Sequence, residues 1–374
     1  MRYNRLGQSG LVVSELCLGA MTFGNKPGGF SQHELDQAGS TALVKQALDG
    51  GINFIDTANV YSLGQSEEFT GQALRDLGVA RDQVVIATKG MGVMGEGPND
   101  AGYSRYHLLA QADASLKRLG LDHVDLYQIH GWDPNAPIEE GLRALEDIVR
   151  SGRARYVGVS NWAAWQIAKA LGIAERRGWD KFISNQAFYA VSSRELEREL
   201  VPMMLSEGLG LMVWSPLAGG LLSGKYSAGK DGAVEGEGRR TKFAFPRVDE
   251  AKAFACVEAM RPMAKAHGVS VAAIAIAWLL HQPTVSTVIV GAKRADQLEA
   301  NLAASEVELH PEELATLDAI ATPEPEYPDW MIASQYQRHA FRVSPRRAPK
   351  RPGIERAVAA WERRSQIGPN PRDP

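Results

Sequence analysis

Eight short apolar runs, each followed by a stretch with helical spacing, limit what this chain can fold into. The runs fall at 15–19, 52–55, 84–88, 125–129, 154–159, 182–186, 210–214 and 286–290. Helical patterns lie at 37–49, 65–77, 104–119, 137–150, 162–177, 193–206 and 250–281, the last broken near Gly268, with another at 294–304. Strands that are apolar throughout are buried on both faces, as in a parallel sheet. Eight strand–helix units in about 300 residues predict one (β/α)8 (TIM) barrel. A doubly wound open sheet would carry a Gly-x-Gly-x-x-Gly turn after a strand, and Gly208-Leu209-Gly210 fails at the third glycine.

Ahead of the first unit, residues 2–14 read as a hairpin turning at Gly7-Gln8-Ser9-Gly10. Residues 1–325 therefore form the barrel domain, and 326–374 a Pro/Arg-rich C-terminal extension. The extension has ten Arg/Lys against five Asp/Glu. Within it, 341–353 reads as linker and 354–364 as a short amphipathic helix. Two connections are long for this fold, Gly90 to Tyr103 and Gly219 to Arg247, and each is long enough to cover one end of the barrel.

In such a barrel, chemistry sits where strands end. Here three strand ends are polar. Asp56 follows Phe54-Ile55, with Tyr61 five residues on where the next helix pattern begins. Lys89 follows Val85 to Thr88, and His130 follows Leu126 to Ile129. A phenol is a reluctant acid at neutral pH, with a pKa near ~10. A neighbouring ammonium stabilises its ionised form, and a carboxylate keeps that ammonium charged where it is partly buried. An imidazole can donate to a carbonyl oxygen. The four groups together point to proton transfer to a carbonyl oxygen. No nucleophile–base pair is evident, so hydrolysis through a covalent intermediate is disfavoured. His33, His107, His123 and His130 lack metal-ligand spacing, so no metal is expected.

Composition narrows the partners. The chain has 374 residues, 44% of them apolar and 23% charged, with a formal net charge of −3. Nothing calls for nucleic acid or an acidic membrane. No 18-residue apolar span is present. Two cysteines and no secretory leader suit a reducing cytoplasm. A homo-oligomer stays open.

Gly51-Ile-Asn-Phe-Ile-Asp-Thr-Ala-Asn-Val-Tyr61 with Glu67-Glu68, Ala87-Thr88-Lys89 and Gln128-Ile129-His130 resemble, in order, the signature of the aldo-keto reductase superfamily. So do Gly158 to Asn161, Asn185-Gln186, Trp214 to Leu221, and Val290 to Arg294 with Gln297 and Asn301. The opening Arg-Tyr-Asn-Arg-Leu-Gly-Gln-Ser-Gly resembles the bacterial and plant branch that carries the hairpin. The resemblance covers residues 2 to about 320. It implies an NADPH/NADP+-dependent reduction of an aldehyde or ketone without metal. Tyr61 would be the general acid, Lys89 would lower its pKa, Asp56 would hold Lys89, and His130 would position the substrate oxygen. Ser160, Asn161 and Gln186 would hold the nicotinamide carboxamide, and Trp214 would stack on its ring. Ser215, Leu217, Gly219 and Leu221 would approach the pyrophosphate. Gly291, Lys293, Arg294, Gln297 and Asn301 would meet the adenosine end, the two cations facing its 2′-phosphate. Phe23, Trp132 and Trp162 would line the pocket of a small carbonyl substrate. The alternative is a non-catalytic NADPH-binding sensor subunit, a role some members of the superfamily have in membrane channels.

Overall fold

A computed structural model describes residues 1–26, 35–229, 234–236 and 238–332. The predicted helix at 354–364, the linker at 341–353, His33 and part of the Gly219–Arg247 connection lie outside the described residues. Strands β1 (Tyr3–Arg5) and β2 (Val12–Ser14) pair as the expected antiparallel hairpin. Eight parallel strands follow: β3 (Leu16–Gly19), β4 (Phe54–Asp56), β5 (Val85–Gly90), β6 (Val124–Ile129), β7 (Ala154–Ser160), β8 (Phe182–Phe188), β9 (Gly210–Trp214) and β12 (Val285–Val290). They close into a barrel in the order β12-β3-β4-β5-β6-β7-β8-β9. The two-residue strands β10 (Ser227–Ala228) and β11 (Val234–Glu235) form a separate hairpin in the long connection after β9.

Helices α1 (Gln37–Asp49), α2 (Gln65–Asp76), α3 (Arg105–Leu119), α4 (Ile138–Arg150), α5 (Ala164–Arg177) and α6 (Leu200–Glu207) surround the barrel. So do α7 (Arg239–Lys242), α8 (Glu250–His267), α9 (Val271–Leu280), α10 (Ala295–Leu302) and α11 (Pro311–Ala321). Their ends are legible in the chain. Asp36, Ser104, Asp249 and Ser270 each accept a first-turn amide as N-caps. The break at Gly268 is real: Gly268 adopts the left-handed conformation that ends α8, and α9 leaves at 95°. Among the described residues, no single helix is long and apolar enough to cross a membrane.

Two segments depart from expectation. The pattern at 193–206 gives a 3-10 turn at Glu195–Glu197 and helix only from Leu200. There the Arg194 guanidinium is held by Glu197 at 2.8 Å and by Asp318 of α11 at 2.6 Å, which ties the turn to the outer layer. Helix α11 was not expected. Pro311 in its first turn and Glu313 accepting the His310 amide at 2.8 Å form its start, and His267 packs on the same carboxylate at 3.0 Å.

The period-two alternation of strands separates two cores. Ile86 and its equivalents point outward and pack beneath the helices. Cys17, Phe54, Val85, Ala87, Leu126, Met212 and Ile289 fill the barrel, with Leu6 and Val13 of the hairpin in the same cluster. The hairpin thus seals the amino-terminal end. The same parity decides what stands at the other end. Asp56 is two residues beyond Phe54, Lys89 two beyond Ala87, and Gln128 two beyond Leu126, so all three continue the interior face. Register aligns them, with Asp56 beside Ala87 and Lys89 beside Gln128.

Candidate active site

Asp56, Tyr61 and Lys89 meet in the barrel mouth. The Lys89 Nζ donates to Asp56 Oδ2 at 2.5 Å, to the Thr57 carbonyl at 2.8 Å and to the Tyr61 hydroxyl at 3.2 Å. Lys89 has no exposed surface, Asp56 is 2% exposed and Tyr61 7%. All three ammonium hydrogens therefore have acceptors, the condition for keeping a charge in a dry place. Tyr61 is not on a helix, as its position suggested. It opens a turn in which Ser62, Leu63 and Gly64 all have positive φ, and α2 begins only at Gln65. Left-handed geometry at two non-glycine residues costs about 1 kcal/mol or more each. Burial of Val60, Tyr61 and Ser62, with Ser62 Oγ donating to the Phe23 carbonyl at 3.2 Å, offsets that cost. His130 lies edge-on to Tyr61, with ring centroids 5.7 Å apart and planes at 77°.

Burial raises the Tyr61 pKa above its ordinary value, while the charge and hydrogen bond of Lys89 pull it down. Burial prevails. Lys89 thus exerts the expected lowering influence, but the net shift is upward, and the phenol is protonated at neutral pH. For Lys89, burial favours the neutral amine, yet Asp56 and then Tyr61 overcome it, and its pKa is raised. His130 goes the other way: burial and the Lys89 charge push it down to about 3. Its ring keeps some contact with solvent, but the Lys89 charge acts regardless, so at neutral pH the imidazole is uncharged.

Asp56 is held on its other side too. Its Oδ1 accepts from Gln128 Nε2 at 3.1 Å and from Gln186 Nε2 at 3.0 Å, and Gln186 Nε2 also lies 3.3 Å from Gln128 Oε1. Sequence reasoning gave Gln128 no role. Its signal is a buried amide two residues beyond Leu126, in register with Lys89. Met94 was missed likewise: together with Met21, which follows the first strand, it packs against Ala58, Val60 and Tyr61. Met94 comes from the long Gly90–Tyr103 connection, which therefore does reach the mouth.

A model of the Aldo/keto reductase family matches residues 15–322. The chain belongs to the aldo/keto reductase family. A "Probable voltage-gated potassium channel subunit beta" of Oryza sativa subsp. japonica is 40% identical over 87% of this chain and 98% of its own. Versiconal hemiacetal acetate reductase of Aspergillus parasiticus is 37% identical over 88% of this chain and 99% of its own. An uncharacterized oxidoreductase of Bacillus subtilis (strain 168) is 37% identical over 86% and 96%. Family membership and these two enzymes support oxidoreductase activity on carbonyl groups.

Ser160, Asn161 and Trp214, expected at the cofactor, stand at the carboxyl ends of β7 and β9. Ser160 Oγ donates to the Gln186 carbonyl at 2.9 Å. Asn161, at φ 58°, donates from Nδ2 to the His130 carbonyl at 3.2 Å and accepts Trp214 Nε1 at 3.0 Å. The Trp214 ring stacks on Phe245, with centroids 5.7 Å apart and planes at 8°. Phe245 belongs to the Gly219–Arg247 connection, so that loop also folds onto the carboxyl rim. After Trp214 the backbone has positive φ at Ser215, Ala218, Gly219 and Gly220, and Ser215 Oγ accepts the Gly219 amide at 3.1 Å. A Cβ at Gly219 would come within 2.6 Å of the Phe245 carbonyl, so that glycine is required by close approach as well as by φ. Leu217 precedes this turn and Leu221 is buried within it.

At the β12–α10 junction, Gly291 stands in open space and the Lys293 amide donates to Gln297 Oε1 at 2.9 Å. The exposed Arg294 guanidinium forks onto Asp296 at 2.9 and 2.8 Å. Asn301 is buried in α10. Of the three aromatic residues expected to line a substrate pocket, only Trp132 presents appreciable surface. Phe23 has none, and Trp162 is 3% exposed between Tyr103, Trp132 and Phe182. Two open clefts, one beside Tyr3, Lys45 and Val79 and one beside Leu11, Arg81 and Asp125, contain none of the four rim residues. The convergent charges place the candidate site at the carboxyl rim instead.

Proposed function

We propose that this protein reduces an aldehyde or ketone to its alcohol with NADPH, Tyr61 acting as the general acid. The observation that carries the reading is one ammonium, Lys89, bonded at once to a buried carboxylate and to the hydroxyl of a buried tyrosine. When bound, the nicotinamide supplies hydride to the carbonyl carbon. Tyr61 donates its proton to the carbonyl oxygen as negative charge develops there. Burial keeps that proton on Tyr61 until substrate arrives, and the Lys89 ammonium then stabilises the phenolate left behind. Asp56 keeps Lys89 charged, and Gln128 and Gln186 fix Asp56. Neutral His130 orients the carbonyl through an imidazole N–H without competing as a proton source.

The residues fit a nicotinamide cofactor. Gln186 spends its N–H groups on Asp56 and Gln128, which turns its oxygen toward the role of acceptor for a carboxamide N–H. Asn161 and Ser160 stand beside it, and a nicotinamide stacking on Trp214 would share that ring with Phe188 and Phe245, which pack against it. Ser215, Leu217, Gly219 and Leu221 form a tightly turned backbone suited to a pyrophosphate. Lys293 and Arg294 precede α10, where a 2′-phosphate would exchange with Asp296 for the guanidinium. The two cysteines are buried and unpaired, which fits a reducing, cytoplasmic setting.

The test is Tyr61→Phe with a panel of aldehydes. Turnover should fall at least ~10²-fold while NADPH still quenches tryptophan fluorescence as in the wild type. Near-wild-type turnover would remove Tyr61 from its role. The relative named as a channel subunit favours a second reading, a cofactor-binding sensor. Tight NADPH binding with no turnover on any aldehyde would support that reading over reduction.

A further inference from the structure

Helix α8 ends on His267, and His310 stands at the start of α11. The two meet over one carboxylate. His267 Nε2 lies 3.0 Å from each carboxylate oxygen of Glu313. The His310 ring stacks on the His267 ring, with centroids 5.8 Å apart and planes at 30°. One ligand-capable atom from each of His267, His310 and Glu313 lies within 4.8 Å of the other two. None of the three belongs to the rim site. The four histidines that lack metal-ligand spacing do not include His267 and His310, which are far apart in the chain and come together only in the fold.

The backbone beneath this cluster is fixed from both sides. Gly268, at φ 67°, stops α8 directly after His267. Val307 and Leu309 are buried just ahead of His310, and Pro311 sets the first turn of α11. The His310 amide donates to Glu313 Oε2 at 2.8 Å, which orients the carboxylate. An ion pair with Glu313 needs only one histidine. A second imidazole stacked on the first adds nothing to that pair, and adds repulsion when both rings are protonated. Two imidazoles and a carboxylate are, however, a ligand set for a transition cation, Zn2+ above all. The carbonyl end of α8 adds partial negative charge at His267. Zinc bonds of ~2.0–2.2 Å in a tetrahedral site put ligand atoms roughly 3.4 Å apart. The His267–Glu313 contacts need open only slightly to reach that spacing, and the exposed His310 ring has room to turn inward.

We propose that His267, His310 and Glu313 bind a Zn2+ ion that clamps the end of α8 to the start of α11. The ion takes one nitrogen from each histidine and a carboxylate oxygen, and water completes the tetrahedron. A proton on a coordinating nitrogen moves to the other ring nitrogen or to solvent. The role is structural. The clamp closes the long loop of chain between His267 and His310, and a clip on a long loop restricts the unfolded chain most. It also fixes the helix that carries Asp318, the partner of Arg194. The inference is independent of the carbonyl-reduction reading.

The experiment compares the full chain as wild type, His310→Ala and Glu313→Gln, each stripped with EDTA and dialysed. Calorimetric titration with ZnCl2 reads affinity, and thermal melts with and without zinc read the clamp. The expected result is one Zn2+ per wild-type chain, with affinity weakened at least ~10-fold in each variant. Zinc should raise the wild-type Tm, and that rise should vanish in both variants. His310 is exposed, so His310→Ala should melt close to wild type in EDTA. If Glu313→Gln does not fold, His310→Ala alone decides. In zinc-soaked crystals, an anomalous-scattering peak bonded to all three side chains supports the proposal. No zinc binding by the wild type, unchanged affinity in His310→Ala, or a peak elsewhere on the surface overturns it.

Discussion

Replacing Asp56 with Ala should damage this protein far more than removing Asp56 and Lys89 together. The charges lie 2.5 Å apart in a site with almost no solvent contact. At an effective dielectric of ~20 their attraction is on the order of 7 kcal/mol, and taking both ions out of water costs several kcal/mol each. The intact pair is therefore near balance. Asp56→Ala removes the attraction and keeps the burial of Lys89, and it strips the shared acceptor from Gln128 and Gln186. The expected loss is about 3–5 kcal/mol in urea unfolding. Burial is the largest influence on Lys89, and Asp56 is its main opponent. Without Asp56 only Tyr61 opposes that burial, so the Lys89 pKa falls from its raised value. Lys89 then lacks the carboxylate that holds its charge and its position beside the phenol, so kcat should drop ~10²-fold or more. Asp56→Leu with Lys89→Met fills the space with apolar atoms, and its stability should lie within about 1–2 kcal/mol of wild type, although it is inactive. If Asp56→Ala cost less than about 1 kcal/mol, or the double variant were as unstable as the single, the buried-ion account would be wrong. Unchanged kcat in Asp56→Ala would sink the proposed division of labour.

Two further outcomes follow from the same geometry. His130 has a folded-state pKa lowered to about 3, so its contribution to stability is complete above its ordinary value near ~6.5 and is lost as pH falls toward 3. Acid titration of stability should show that slope, and His130→Asn should flatten it; identical slopes in both proteins would contradict an imidazole kept neutral beside the Lys89 charge. Arg294→Ala should raise the KM for NADPH roughly tenfold, leave that for NADH within twofold and leave kcat unchanged. Equal shifts with both cofactors would take the 2′-phosphate away from Arg294.

The barrel was legible because its strands are apolar on both faces and its helices carry local stop signals, as at Gly268. Both depend on residues close in sequence. What escaped depends on distant partners. Helix propensity across 193–206 gave way to a guanidinium shared with Asp318, more than a hundred positions away. The turn after Tyr61 holds two non-glycine residues at positive φ, which no local preference announces and only the surrounding burial sustains. Trp162 read as a pocket residue because it follows a strand end, but Tyr103 and Phe182 enclose it from other elements. The tetrad was readable as a set of residue types at strand ends. Its charge states were not, since the balance between burial and Lys89 at Tyr61 depends on depth in the barrel.

The relative named as a channel subunit is slightly more similar to this chain than the named reductase, at 40% against 37% identity. That margin does not rank the two functions. Identity over more than 300 positions sums the whole chain, scaffold and mouth alike. One scaffold can carry different functions at its mouth. The reaction depends on a handful of groups that contribute almost nothing to such a percentage. Here a buried ammonium touches both a carboxylate and a phenol, with an uncharged imidazole edge-on to the phenol. Burying an ion pair gives little net stability over apolar packing, so a role that only required cofactor binding would not need to keep one. The buried pair is the physical ground for preferring turnover, and the Asp56–Lys89 double variant isolates it: a protein within about 1–2 kcal/mol of wild-type stability that has lost its rate.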